Sequence, residues 1–182
     1  MAQLDEATGR RLISFARAAI ERHILGDSTR NDADPWPTLP KCGVFVTLRR
    51  HGVLRGCIGT FSDSDDLLKT VAEIAVGATR DPRFQSTPIS ASELPEIRIE
   101  LSVLSERERI EDPLDFELGR HGVYIKNGYA VGCFLPGVGQ DLGWTREQFL
   151  SELCRQKAGL SPDAWQDPKT EVYVFTVQKI QE

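Results

Sequence analysis

The stretch GVFVTLRRHGVLRGC, residues 43–57, is echoed by GVYIKNGYAVGC, residues 122–133. Both open on Gly-Val-aromatic and a β-branched residue, pass a turn containing glycine, and close on Gly-Cys. Each reads as a β-hairpin, and Asn127-Gly128 in the second favours a type I′ turn. A helical stretch follows each hairpin. The first spans 65–79, with Ser64 or Asp65 as its cap; the second spans 145–158, where Thr145 and Gln148 fit a capping box. An alternating strand then closes each half, EIRIELSVL at 96–104 and EVYVFTVQKI at 171–180. The spacing from Gly43 to Gly122, or from Cys57 to Cys133, is too long for a solenoid repeat. Duplication of one ββαβ unit is the preferred reading; the alternative is two similar runs produced by shared physics.

The expected fold is therefore α+β: two related ββαβ units forming a largely antiparallel sheet with flanking helices, preceded by an N-terminal helix. The whole chain, 1–182, reads as one domain with internal halves 43–104 and 122–180. The leading helix spans 5–25, with Leu12, Phe15 and Ala19 on one side, joined by Ile13, Ala16, Ile20 and Ile24 at helical spacing. Gly26 can end it, and His23 lies where a cation suits the helix dipole. Residues 27–42 form a polar, proline-rich connection that Trp36 is expected to pin to the body.

Charge and cysteine usage narrow the function classes. A net charge of −5 provides no global basic field for a phosphate backbone, so nucleic acid is the least expected partner. No stretch is long and apolar enough for a membrane span, and the N-terminus lacks the apolar core of a secretory signal. The four cysteines, Cys42, Cys57, Cys133 and Cys154, form no CxxC pair, so neither a disulfide framework nor a zinc ribbon is expected. The default setting is a reducing cytoplasm. No glycine-rich dinucleotide fingerprint or phosphate loop follows a strand, and no cofactor is expected. PGVGQDLGW, residues 136–144, has no phosphate-loop lysine and reads as a turn, while Cys154 reads as core.

Chemistry concentrates at LRGCIGT, residues 54–60. Strict alternation sends Leu54 and Ile58 into the core and places Arg55 and Cys57 side by side on the other face. Gly56 and Gly59 leave room for another backbone or a ligand. A nearby cation would raise the thiolate fraction of Cys57, the physical case for a nucleophile. A ligand-facing thiol and a small buried one are the other readings. A nucleophile needs a base, and His121 is the candidate if the halves pack face to face. DPRF, residues 81–84, is either a structural helix exit or a site loop, with Asp81 and Arg83 fixing its geometry. Glu100, on the polar face of 96–104, is either an acid or base or the counter-ion of Arg55. Cys133 lacks a cation at the position matching Arg55, which leaves the functional setting to Cys57. Cys57, His121 and Asp81 have no metal-ligand spacing, so no metal site is expected.

LRGCIGT, DPRF, LGRHGVYI (118–125), Leu135-Pro136 and KAGL (157–160) occur in the order of the AMMECR-type domain. The chain resembles that family over essentially its whole length; the prokaryotic members are called AmmeMemoRadiSam system protein A. The resemblance implies an α+β fold of two related halves with a cleft near LRGCIGT, and association with radical-SAM and Memo-like proteins. It implies no reaction. It marks Arg55, Cys57, Gly59, Thr60, Asp81, Arg83 and His121 as site positions. Gly137 departs from the glutamine common after Leu-Pro, and a contact made by that glutamine is lost or passes to Gln140. Two functions follow. One is a binding or accessory protein whose cleft, lined by Arg55, Gly56, Gly59, Thr60, Asp81 and Arg83, holds a small polar or anionic ligand or a partner's peptide. The other is an enzyme with Cys57 as nucleophile or redox thiol and His121 or Glu100 handling protons.

Overall fold

The computed structural model describes residues 4–26, 35–40, 42–64 and 66–182. The chain divides into two compact units, one running to Leu104 and including Gln178–Glu182, the other Ser105–Val177. In the first, helix α1 (Glu6–Leu25) starts where the Asp5 carboxylate accepts the Thr8 N–H, 2.8 Å. It ends at Gly26, whose φ of 71° lets its N–H reach the Arg22 carbonyl. Its buried stripe includes Leu12, Ala16 and Ile20. His23 at the last turn accepts from Arg80 Nε at 3.1 Å, and burial followed by that guanidinium lowers its pKa. The cation expected there is thus disfavoured.

Strands β1 (Cys42–Arg50) and β2 (Val53–Ser64) form the first hairpin, turning at His51 and Gly52, both with positive φ. Helix α2 (Leu67–Thr79) is capped by Asp66, which accepts from Lys69 N at 2.9 Å. Of the caps expected from sequence, Ser64 ends β2 and Asp65 lies outside the described residues. Strand β3 (Ile97–Leu104) pairs antiparallel with β1. Val44, Val46 and Leu48 of β1, with Ile99 and Leu101 of β3, share a core with α1 and α2. The opposite face of the same strands carries Phe45 and Thr47 beside Ser102 and Glu100.

In the second unit, β4 (Glu108–Ile110), not foreseen from sequence, pairs with β7 (Glu171–Phe175). Strands β5 (Gly122–Asn127) and β6 (Ala130–Phe134) form the second hairpin. Its register pairs Asn127 with Ala130, so the turn residues are Gly128 and Tyr129, one step later than expected. Only Gly128 has positive φ, the pattern of a II′ turn. Residues 136–144, expected as a turn, contain a short helix, α3 (Gly137–Asp141). Helix α4 (Arg146–Leu153) begins with the anticipated box: Gln148 N donates to Thr145 Oγ1 at 3.3 Å and Thr145 N to Gln148 Oε1 at 2.9 Å. It gives way to a π-turn, Cys154–Ala158, closed by Gly159 at φ 66°. Phe149, Leu150 and Leu153 pack with Val123, Ile125 and Val172 in this unit's core, which also contains Cys154.

The expected single strand at 171–180 is two. Thr176 interrupts it: its N–H donates to Ser105 Oγ and its carbonyl accepts from Ser105 N, both at 2.9 Å. Beyond it, β8 (Val177–Gln181) lies beside β3. The α+β architecture with antiparallel pairing and a leading helix is as expected, but among the described residues the strands form two four-stranded sheets, β2-β1-β3-β8 and β4-β7-β5-β6. Among the described residues, no helix is long and apolar enough to cross a membrane.

Candidate functional site

The geometry around Cys57 begins with a bulge. Arg50 pairs with Val53 and Arg49 with Leu54, but Leu48 pairs with Gly56, so Arg55 has no partner across the ladder. The extra residue shifts the register of the rest of β2. Gly56 now stands opposite buried Leu48, and Cys57 stands opposite Thr47 on the face away from the helices. Leu54 and Ile58, expected on one face, fall on opposite faces: Leu54 opposite exposed Arg49, Ile58 opposite buried Val46.

The small residues of the motif have steric partners. A Cβ on Gly56 would lie 2.0 Å from the Ala78 carbonyl oxygen, so the last turn of α2 rests directly on the strand. A Cβ on Gly59 would lie 2.1 Å from the Phe45 ring, and Thr60 stands opposite buried Val44. The space expected beside both glycines is thus filled by the protein itself.

Seating α2 on Gly56 carries its exit to the sheet edge. Asp81 is 2% exposed and caps the 3₁₀ turn Pro82–Phe84. Its Oδ2 accepts the Cys57 N–H at 2.9 Å, and Oδ1 accepts the Arg83 N–H at 3.0 Å. Arg83 grips the same carboxylate with Nε at 3.0 Å and Nη2 at 2.6 Å, while Nη2 also donates to the Cys57 carbonyl at 3.2 Å. Both polar groups of the Cys57 peptide, which point away from β1 on an edge strand, are therefore closed by DPRF. The guanidinium of Arg83, followed by the two backbone N–H groups, holds Asp81 well below the usual carboxylate range.

The thiol of Cys57 lies 3.3 Å from Thr47 Oγ1, a neighbour that sequence alternation did not identify. Thr47 also pairs with Glu100 across β3, which puts Glu100 on the same face as Cys57, two strand spacings or roughly 10 Å away. Glu100 binds Lys179 Nζ at 3.6 Å and accepts from Gln181 Nε2 at 2.6 Å, both on β8. It is not the counter-ion of Arg55. That role belongs to Glu93, 3.2 Å from Arg55 Nη2, which also donates to the Thr87 carbonyl at 2.9 Å. Arg55 lines an open polar pocket of about 650 Å³ with Arg50, Thr87, Ser90, Glu93 and Glu96. The Ser90 N–H, then Arg55 and Arg50, lower the pKa of Glu93.

His121 belongs to the second unit. Its Nδ1 accepts the Glu117 N–H at 3.0 Å, which leaves the proton of the neutral ring on Nε2. It lines an open pocket of about 480 Å³ with Phe116, Glu117, Leu118 and Arg146. Gln140 packs its amide where a Cβ on Gly119 would lie, against the turn leading to His121. At the echo, Gly132 admits Lys157 and Ala158 as Gly56 admits Ala78. Cys133 stands opposite Tyr124, and burial pushes its thiol up to about 12. The cation expected to be missing there is Lys157, arriving from the π-turn. Among the described residues, no group of three His, Cys, Asp or Glu side chains is placed to hold a metal ion.

The AMMECR1 family model matches residues 13–180. A protein of Methanothermobacter thermautotrophicus is 40% identical over 186 residues, covering 97% of this chain and 95% of its own. Protein TK0174 of Thermococcus kodakarensis is 37% identical over 195 residues, covering 100% of this chain and 94% of its own. The crystal structure of the uncharacterized protein PH0010 from Pyrococcus horikoshii matches with a TM-score of 0.86 at 37% identity, covering 98% of this chain and 93% of that one.

Proposed function

The chain belongs to the AMMECR1 family, and on that premise we propose that it is a binding or accessory protein of a cytoplasmic radical-SAM and Memo-like system. The Cys57 edge of its first sheet is the recognition element. The observation that carries this reading is the closure of the Cys57 peptide by Asp81 and Arg83, with the thiol against the Thr47 hydroxyl. A strand held at its N–H, its C=O and its side chain is a rigid presenting surface, and rigidity lowers the ordering cost of binding. Arg83, whose side chain is 58% exposed, offers a guanidinium to a small anionic ligand or to a carboxylate of a partner. The hairpin–helix pattern of both units, each helix end seated on the glycine of a Gly-Cys pair, supports descent from one duplicated ββαβ unit.

The second reading makes Cys57 a nucleophile or redox thiol. It is favoured by Glu100 on the same sheet face and by the Arg83 guanidinium donating to the Cys57 carbonyl at 3.2 Å. Titrating the purified chain against purified radical-SAM and Memo-like proteins separates the two. Binding should survive Cys57→Ser within about threefold and weaken at least about tenfold in Arg83→Ala, as for an interfacial arginine. Arg83→Ala binding as tightly as wild type would remove this edge from recognition, and iodoacetamide labelling of native Cys57 faster than a free cysteine peptide would move the assignment to the thiol.

A further inference from the structure

The second sheet places one residue from each strand in a row across the face away from its core. Arg109 stands opposite Tyr173, Tyr173 opposite Tyr124, and Tyr124 opposite Cys133. Core residues Val172, Val174, Val123 and Ile125 occupy the alternate positions. The two tyrosine rings meet edge to face with centroids 6.0 Å apart, and the Arg107 guanidinium lies over Tyr124 at 4.8 Å. In the next row Lys126 stands opposite Glu171, which accepts the Tyr173 hydroxyl at 2.6 Å.

Strand periodicity also sorts charge. Glu106-Arg107-Glu108-Arg109 is neutral along the chain. The two-residue period sends Glu108 to the side of Val174, which it faces in register, and Arg109 to the side of Tyr173. The tyrosine face therefore bears Arg109 and Lys126 beside Glu171. Arg109 and Lys126 are exposed; Tyr124, Tyr173 and Arg107 are half-buried. Aromatic rings alternating with cations on an antiparallel sheet offer stacking surfaces together with neutralisation of negative charge. The net acidity of the chain conceals this, because the excess carboxylates lie elsewhere.

We propose that this face binds a nucleotide, the base stacking on Tyr173, the phosphate meeting Arg109 and Lys126. The ligand comes either as a free nucleotide or as the end of a single strand, since both present the same base and phosphate.

The test is a titration of the whole chain at low salt with AMP, by calorimetry, and with a fluorescein-labelled oligothymidylate of about ten nucleotides, by anisotropy. Binding of AMP identifies the free nucleotide as sufficient; binding of the strand alone identifies a strand end. In either case Tyr173→Leu should weaken binding about tenfold, and Tyr173→Phe, which retains the ring, should leave it within about twofold. For the strand, Arg109→Ala and Lys126→Ala should each reduce the slope of log affinity against log salt by about 0.7. Both are exposed positions where truncation leaves the fold in place, so these variants test the site even if Tyr173→Leu unfolds. Absence of binding by both ligands at millimolar concentration, or affinities unmoved in Arg109→Ala and Lys126→Ala, overturns the proposal.

Discussion

Replacing Asp81 with alanine removes the acceptor of four hydrogen bonds, from Cys57 N, Arg83 N, Arg83 Nε and Arg83 Nη2. They are not equal. The Arg83 side chain is 58% exposed, so its guanidinium regains water and its two bonds contribute little net. The Cys57 N–H sits on a closed sheet edge beneath the end of α2, and an orphaned buried donor costs about 1–3 kcal/mol. With the Arg83 N–H added, Asp81→Ala should cost about 2–4 kcal/mol at pH 7. Asp81→Asn keeps one acceptor and should cost about half as much, while Arg83→Ala, which leaves both backbone donors bound, should cost about 1 kcal/mol. Urea unfolding gives the total, and hydrogen exchange of the Cys57 amide gives the local share. The pH dependence has a definite sign. The folded carboxyl titrates below its unfolded value near 4, so its contribution is complete above about pH 4 and is lost as the pH falls further. Wild type and Asp81→Ala should therefore draw together in stability as the pH falls below about 4, and meet only where the folded carboxyl itself takes up its proton. A loss under about 0.5 kcal/mol at neutral pH with the Cys57 amide still protected, or a loss that persists unchanged in acid, would refute the assignment of Asp81 as the clasp of this edge.

Gly56→Ala drives a methyl into the Ala78 carbonyl at 2.0 Å and should cost about 3 kcal/mol, seen as a lowered thermal midpoint. Gly132→Ala meets Lys157 Cβ at 2.7 Å and the Ala158 backbone nitrogen at 2.8 Å, both fixed to the π-turn backbone, and should cost a comparable amount. Cys133, with its thiol pushed up to about 12 by burial, should resist iodoacetamide at pH 9 in the native protein and label only in denaturant, as peptide mass spectrometry would read. Thr145→Ala removes the cap of α4 and should cost about 1 kcal/mol in urea unfolding, with Thr145→Ser restoring most of it.

Local chemistry made much of this chain legible before any coordinates. Helix α1 follows from an apolar stripe, a side chain at Asp5 that accepts an amide, and a glycine able to take positive φ at Gly26. Thr145 and Gln148 form their box because three residues of sequence suffice to bring them together. Gly56 marked a place where another backbone or a ligand could come close, and the end of α2 takes it; the matching approach at Gly132 emerged only in the structure. The helix starts and stops depend on neighbours in sequence, and sequence describes neighbours directly.

What tertiary structure decided is register and partnership over long separations. A single unpaired residue at Arg55 moved Cys57 opposite Thr47 and delivered Arg55 to Glu93, neither of which strict alternation could reveal. Glu100 found Lys179 because the segment 171–180 breaks at Thr176, pinned by Ser105, and sends β8 to the edge of the first sheet. The tyrosine and arginine row of the second sheet draws on β4, β5 and β7, strands separated in the chain but adjacent in the ladder. In each case the cause is the same. A strand's own pattern says which residues alternate, whereas the partner it pairs with, and in what register, is set by the packing of the whole sheet.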